Sequence, residues 1–480
     1  MDMIVGSRKM KVKLLSVTNK DRVEERIKVV ATAGKLSRFP GTVTEVYDSC
    51  EDVAKNQRFI ERVIGMGHES ITDHDYLVFA IEDVSPIVEQ ILIEERFSSF
   101  TIKSRREVDF SNAGYYVPEF RDNNHKVLPN NKELQKMYME HMKFLFNSYS
   151  ELLELGIKKE DARFILPYSF NSNIIMGIDA HVFKNLIVRL TKGKESNIAE
   201  LRELGEKLYE IMEQYVPYLK NIIDKVEVPD KDLVGELLDD YIDDSTYEIL
   251  GNVELLSASS DVDKQILLSA LMRVYGFDYN KALTYYEKVL ANDLELKKEL
   301  MKKILVNGKD ELKQVNFRFQ VPISLAVLTH ITRHRTHDLM VPDFVPVRDL
   351  TKYKTPASVS AKAKEKYDEI YRINQEMYEK FKNAGVCDED LIYFYMAGNM
   401  LNVVTNMDGA TLSHIARLRI CTKAQWEIRG ILTQMRELVK EIAPLYASIL
   451  GPDCEVFREC HEGKESCGKI KVLRGTNHEG

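Results

Sequence analysis

Cysteine is scarce in this chain, six residues in 480, and there is a single tryptophan. So few thiols cannot make a disulfide scaffold, and a reducing, cytoplasmic setting is expected. No stretch approaches the roughly 18 consecutive apolar residues of a membrane span. The opening MDMIVGSRKMKVKLLSV lacks the extended apolar core and small-residue cleavage site of a secretory signal. An excess of positive charge is missing too: 67 Lys and Arg stand against 75 Asp and Glu, a net charge of -8, which excludes the strongly basic footprint of a nucleic-acid polymer binder. Also absent are GxGxxG after a strand, GxxxxGK[ST] and HExxH, so phosphates, if bound, must be held by side chains.

What remains is an ordinary globular composition, 44% hydrophobic and 30% charged, too long at 480 residues for one core. The length is explained by repetition. VKLLSVT (Val12 to Thr18) is echoed by VELLSAS (Val253 to Ser259). An apolar run ending in EERF (Glu94 to Phe97) answers one ending in RHRT (Arg333 to Thr336). YSELLELGIKKED (Tyr149 to Asp161) parallels YEKFKNAGVCDED (Tyr378 to Asp390), each reading as a helix closed by Gly. AELR (Ala199 to Arg202) answers WEIR (Trp426 to Arg429). Four matches in one order imply duplication with small gaps.

Each copy opens on a short apolar strand and has a second strand pattern in its middle, such as the alternation in YLVFAIE (Tyr76 to Glu82). Long helices follow: Asn131 stands where an N-cap belongs, and Leu134, Met137, Tyr138, His141 and Leu145 recur at helical spacing. The expected fold class is α+β, two tandem copies with a mixed sheet and long helices. The expected boundaries are 1–228, an acidic linker poor in apolar residues at 229–252, 253–450, and a Cys-containing tail at 451–480.

Three clusters could carry chemistry. Arg333, His334 and Arg335 put two permanent cations and an imidazole at an expected helix end, and guanidinium forks match phosphate oxygens. Its bland alternative is a solvated basic helix end. GHESITDH (Gly67 to His74) sets His68, Ser70 and His74 at an expected helix start, whose free N–H groups suit an anion, unless Ser70 or Asp73 simply caps it. SSFTIKSRR (Ser98 to Arg106) offers Ser99 and Ser104 beside Arg105 and Arg106, and without context is a polar turn. In the tail, Cys454, Cys460, His461 and Cys467 carry the donor types of a structural zinc. They lack the usual CxxC spacing, and surface thiols are the favoured reading.

In order, GHxS, an apolar strand and helix, Arg-His-Arg with spaced Ser and Arg, ARxxLP and AQWEIR are similar to flavin-dependent thymidylate synthases, and the resemblance covers nearly the whole chain twice. The first copy carries GHESITDH, SSFTIKSRR, YYVP (Tyr115 to Pro118) and ARFILP (Ala162 to Pro167). The second carries RHR and AQWEIR (Ala424 to Arg429). The copies keep complementary parts. Glu94, Glu95 and Arg96 stand where the family has Arg-His-Arg, while Asp338, Asp343 and Val345 replace the second copy's Ser, Ser and Arg. Its counterpart of GHxS, NGKDELKQ, has no His, and Asn173 and Asn402 stand where an Arg for the substrate phosphate is expected.

The resemblance implies methylation of dUMP to dTMP, with FAD as cofactor, NADPH as reductant and methylenetetrahydrofolate as co-substrate. It implies a domain of the thymidylate-synthase-complementing type in each copy. Arg429 becomes the catalytic residue that favours the N3-ionised uracil. His68, Ser70, Arg333, His334 and Arg335 become flavin-binding, and Arg96, Ser99, Ser104, Arg106 and Arg202, the counterpart of Arg429, substrate-binding. A homodimer would be equivalent to the family tetramer, with sites drawing on both copies. The losses leave two alternatives: a non-catalytic flavin or nucleotide binder, or a flavoenzyme acting on another nucleotide.

Overall fold

A computed structural model describes residues 9–19, 22–238, 240–242 and 247–475. Two four-stranded sheets share one plan. The first is ordered β1-β2-β4-β3 and the second β5-β6-β8-β7, with β1 Lys11–Val17, β2 Tyr76–Val84, β3 Ser98–Ile102, β4 Ser172–Asp179, β5 Glu254–Ala258, β6 Asn316–Ser324, β7 Asp338–Met340 and β8 Met400–Asp408. The α+β class holds, and the described ladders are antiparallel throughout rather than mixed. Alternation does what its period demands: Leu77, Phe79 and Ile81 are buried on β2, as are Phe317, Phe319 and Val321 on β6.

Each central strand runs into a short apolar helix with a serine at its N-cap, Ser85 before Pro86–Ile93 and Ser324 before Leu325–Thr332. A buried carboxylate from a later helix holds each serine. Glu200 accepts from the N–H and hydroxyl of Ser85 at 2.8 and 2.6 Å, and Glu427 does the same for Ser324 at 2.8 and 2.8 Å. The Glu of AELR and of WEIR is thus the clamp fixing where the preceding helix starts.

Both long helices end on the expected glycine. After Asn131–Glu154, Gly156 turns with φ +73, and the N–H groups of Gly156 and Ile157 return to Leu153 and Leu152. After Lys364–Asn383, Gly385 turns with φ +83, and Gly385 and Val386 return to Lys382 and Phe381. This paired closure needs a left-handed residue, which glycine adopts freely. The N-cap of the first helix is Asn130, not Asn131; the Asn131 side chain instead accepts from the Phe120 N–H at 2.9 Å.

The compact units do not follow the sequence boundaries. The first runs to Tyr247 and also takes in Phe344–Asn399; the second comprises Glu248–Asp343 and the residues from Met400 onward. Within the first unit the equivalent long helices of the two copies pack on each other, joined by His141 Nε2 and Asn374 Oδ1 at 2.9 Å. Nearby, Arg121 grips Asp390 through Nε at 3.0 Å and a terminal nitrogen at 2.6 Å, both side chains buried. A bidentate pair removed from water fixes one arrangement. The connector is exposed, yet it holds a helix, Leu233–Leu238, and shows Leu233, Val234, Leu237 and Leu238 to solvent, so it is not poor in apolar residues.

Candidate active site

The Arg-His-Arg triplet lies in the second unit and ends a helix as expected, Arg333 capping Leu325–Thr332. Its members differ sharply. Arg333 and Arg335 are exposed and His334 is buried. Arg419, from the helix Gly409–Arg419, donates through Nε to His334 Nε2 at 3.1 Å. A ring nitrogen that accepts carries no proton, so the imidazole is neutral with its proton on Nδ1. Burial pushes His334 down to about 3, helped by Arg419, His414, His337 and Arg333. His337 closes the following turn: its Nδ1 meets the Thr405 hydroxyl at 2.6 Å and its Nε2 the Ile331 carbonyl at 3.1 Å. Two exposed cations, themselves stabilised by the negative end of the helix dipole, make a corner whose guanidinium forks can match a diphosphate.

Arg429 stands in the first turn of helix Trp426–Ile442, half-buried, with a terminal nitrogen donating to the Thr422 carbonyl at 3.1 Å. Glu427, two residues earlier, holds the opposite end of the triplet's helix through Ser324. Eight residues at ~1.5 Å each separate those ends by about 12 Å. The second unit therefore contains both the cationic corner and Arg429.

The equivalent corner of the first unit is acidic and already occupied. Arg189 reaches Glu95 at 3.2 Å, Glu195 at 2.7 Å and, more distantly, Glu94 at 3.9 Å. Burial pushes the Glu94 and Glu95 carboxyls up, against the pull of Arg189. Carboxylates satisfied in this way do not receive a diphosphate. Arg96, at the end of the same run, is exposed.

The remaining residues of the first copy are spread over several elements. GHESITDH forms a six-residue 3-10 turn, Glu69–His74, not the start of an α-helix. Neither Ser70 nor Asp73 caps it: His68 is its N-cap residue, with no side-chain cap bond. The dipole argument for an anion fails there, since the sequence is too short to build one. The turn is held by its acids, Glu69 to His181 at 2.8 Å and Lys184 at 2.6 Å, and Asp73 to His181 at 3.2 Å. His68 and Ser70 are exposed. Ser99, on β3, pairs with the Tyr76 hydroxyl at 2.9 Å. Ser104 accepts from the Arg106 N–H at 3.3 Å, and the Arg106 guanidinium is paired with Glu160. Arg105 is buried against Glu89, its guanidinium 5.2 Å above the Phe170 ring, and so belongs to the core. Arg202 is exposed on helix Ala199–Tyr215.

Asn173 and Asn402 hold backbone. Asn173 accepts from the Asp83 N–H at 3.1 Å; Asn402 accepts from the Leu250 N–H at 3.1 Å and donates to the Glu248 carbonyl at 2.7 Å. Asn173 thus holds Asp83 at the irregularity between Glu82 and Val84 within its own sheet, and Asn402 fastens the segment at 248–250. In the tail His461 is 66% exposed and turned to Asp453 and Glu459, which removes it from the proposed zinc set. Among the described residues no group of three or more His, Cys, Asp or Glu side chains could hold a metal ion, and no helix is long and apolar enough to cross a membrane. Sequence reasoning missed Arg419, Glu200 and Glu427. The first is signalled only by basic residues closing its helix, the others only by their recurrence in AELR and WEIR.

Residues 14–218 and 254–445 each match the family model described as thymidylate synthase complementing protein. The flavin-dependent thymidylate synthase of Sulfurisphaera tokodaii is 30% identical over 255 residues, which cover 47% of this chain and 97% of that protein. That of Saccharolobus solfataricus is 30% identical over 207 residues, covering 42% and 78%. A solved structure, the UMP/dUMP methylase PolB from Streptomyces cacaoi bound with 5-Br dUMP, is similar at 18% identity and a TM-score of 0.38, over 43% of this chain and 91% of that one.

Proposed function

This chain belongs to the thymidylate synthase complementing protein family, and from that premise we propose that it is a flavin-dependent thymidylate synthase converting dUMP to dTMP. The observation that carries the reading is one of length: 97% of a curated relative of that name aligns to 47% of this chain. Room for a second such unit remains, and a second segment matches the family. The reading takes the chain as a duplicated enzyme with copies at 1–228 and 253–450, working as a homodimer.

The cationic corner fits FAD, because Arg333 and Arg335 are exposed beside a neutral imidazole whose remaining proton can be donated. Bound there, FAD supplies the hydride that completes the methyl group, with NADPH as its reductant and methylenetetrahydrofolate as the carbon source. Arg333 and Arg335 hold the diphosphate and His334 donates from Nδ1. Burial, with Arg419 beside it, keeps that imidazole from titrating near neutrality. Arg429 stabilises the negative charge that develops on the uracil ring. Ser99, Ser104, Arg106 and Arg202 are taken for the nucleotide, and His68 and Ser70 for flavin binding. Activity draws on both sets, so Arg106→Ala and Arg333→Ala should each remove nearly all of it.

Expression as the sole thymidylate synthase of a thymidine-requiring host tests this reading. Growth without thymidine is expected; failure to grow with the protein soluble and abundant would overturn it. A flavin-binding homologue without turnover is the second reading, favoured by Asp338, Asp343 and Val345 at the Ser, Ser and Arg positions. It predicts a yellow protein that does not support growth. Asn173 and Asn402, committed to backbone, favour a third, a different nucleotide as substrate.

A further inference from the structure

The loop before each central strand meets the helix that follows β4 or β8, and the two copies fill that junction with opposite charge. In the first unit helix Val53–Gly65 closes on Gly67, φ +85. The turn that follows sets Glu69 against His181 at 2.8 Å and Lys184 at 2.6 Å, both on helix Ala180–Lys192. In the second unit helix Leu294–Val306 closes on Gly308, φ +109, and the next residue is Lys309, itself left-handed at φ +68. Its neighbours fix where the loop lies. The Leu312 N–H returns to the Lys309 carbonyl at 3.1 Å, the Gly409 N–H donates to the Val315 carbonyl at 2.9 Å, and a Cβ at Gly409 would stand 2.7 Å from the Leu312 carbonyl oxygen. The loop is thus pressed on the first turn of helix Gly409–Arg419, whose exposed face carries His414 and Arg417.

Among the described residues no acid pairs with the half-buried Lys309 side chain. Its own neighbours are committed elsewhere, Asp310 to Lys313 at 2.9 Å and the buried Glu311 to Arg273 at 2.6 Å. Asp453 is shared by Arg417 at 2.8 Å and His461 at 3.2 Å. What Lys309 meets instead is positive. Burial and then the charge of Arg417 pull its amine below the ordinary lysine range, with Asp453 acting against them. Burial likewise pushes His414 down, followed by the charges of Lys309, Arg417 and Arg419. The His414 ring stands edge-on to the buried His334 ring, centroids 5.9 Å apart, so this cluster is continuous with the corner of Arg333 and Arg335. Like charges held together and partly removed from water lower stability. A fold keeps such a cost where a bound anion offsets it.

We propose that Lys309, with His414 beside it, is a further binding residue for the phosphates of FAD, extending the corner of Arg333 and Arg335 along helix Gly409–Arg419. The ammonium is a mobile point charge with three donors, where the guanidinium forks are rigid, and the uncharged His414 adds a ring N–H. The first unit cannot do the same, because Glu69 already neutralises the equivalent helix. The inference rests on the flavin reading. It accounts for a second copy that keeps the Arg-His-Arg corner although its loop NGKDELKQ has no His.

Titration of the flavin-free full chain with FAD, followed by flavin fluorescence, tests this. Lys309→Ala should weaken FAD binding by about 10- to 100-fold, the loss of one charge-assisted contact, and Lys309→Arg should retain most of it. Lys309→Glu copies the charge of Glu69 and gives Arg417 and His414 an acid. It should raise the melting temperature of the flavin-free chain while removing FAD binding. These opposite movements separate a ligand-binding role from a structural one, which would lower both. FAD affinity unchanged in Lys309→Ala and Lys309→Glu would overturn the proposal. So would a loss confined to dUMP or NADPH with FAD held normally, or a melting temperature that falls in Lys309→Glu as flavin is lost. If the unmutated chain binds no FAD, the flavin reading fails and takes this inference with it. Equal binding by the unmutated chain and both variants sinks this inference alone.

Discussion

The end of helix Pro86–Ile93 and the end of helix Leu325–Thr332 occupy the same place in the two sheets, follow the same central strand and start on the same glutamate-held serine. One carries Glu94, Glu95 and Arg96, with both acids near Arg189; the other carries Arg333, His334 and Arg335, with the imidazole taken up by Arg419. The backbone has been kept and the charge inverted. What this teaches is that the clamp on the serine and the charge at the far end of the helix are independent. A duplicated fold can therefore retain the first in both copies and the second in one.

The comparison breaks most visibly at the cations. Arg333→Ala with Arg335→Ala removes two charge-assisted contacts of about 1.5–3 kcal/mol each, so activity should fall by more than ~100-fold. Growth of the thymidine-requiring host reads this directly, and unimpaired growth would show that the corner is not used. Converting the acidic corner is the reciprocal change. Glu94→Arg with Glu95→His should lower stability by roughly 1–3 kcal/mol, because Arg189 keeps only Glu195 of its three acidic partners and meets a like charge, without adding a second flavin. A gain of flavin would mean that backbone alone specifies the site.

The clamps should act in the same direction. Glu200→Ala and Glu427→Ala each leave a buried serine N–H and hydroxyl unpaired, a loss of about 1–3 kcal/mol per unsatisfied group, read as lowered melting temperatures, with Glu200→Ala the larger because the buried Tyr393 hydroxyl also loses its acceptor. If only one variant is destabilised, the equivalence of the copies is weaker than their geometry.

The smallest effects are in pH. Burial raises Glu200 to about 7 and Asp75 to about 6, so the folded chain holds protons that the unfolded chain releases, and stability falls as pH rises through that window. His334, lowered from 6.5 to about 3, acts oppositely: the unfolded chain binds the proton, and stability is lost as pH falls below 6.5. Thermal melts across pH 4 to 8.5 should show Glu200→Gln flattening the fall in stability between pH 4.5 and about 7, and His334→Gln flattening the loss below pH 6.5. Parallel curves for wild type and both variants would remove these assignments.

Much of the fold was legible because it is local. Period-two alternation marked β2, the echo of Val12 to Thr18 marked β5, and the glycines at 156 and 385 marked the ends of both long helices. Legibility failed where contacts are distant in sequence. Nothing near Tyr378 says that its helix packs in the first unit, since that depends on partners such as His141, 233 residues away from Asn374. The site divided in the same way. The triplet's position at a helix end followed from the apolar run before it, but the burial of His334 depends on Arg419, 85 residues on. GHESITDH has the residue types of an anion-binding helix start without the length to build one.

The central claim is that the second copy's corner, and not the first's, holds the flavin. Counting FAD per chain in the purified protein and two variants tests it most directly. The account predicts one FAD per chain, retained when Glu94→Gln and Glu95→Gln are combined and lost when Arg333→Ala and Arg335→Ala are combined. Two FAD per chain, or one that survives the loss of both arginines, would contradict it.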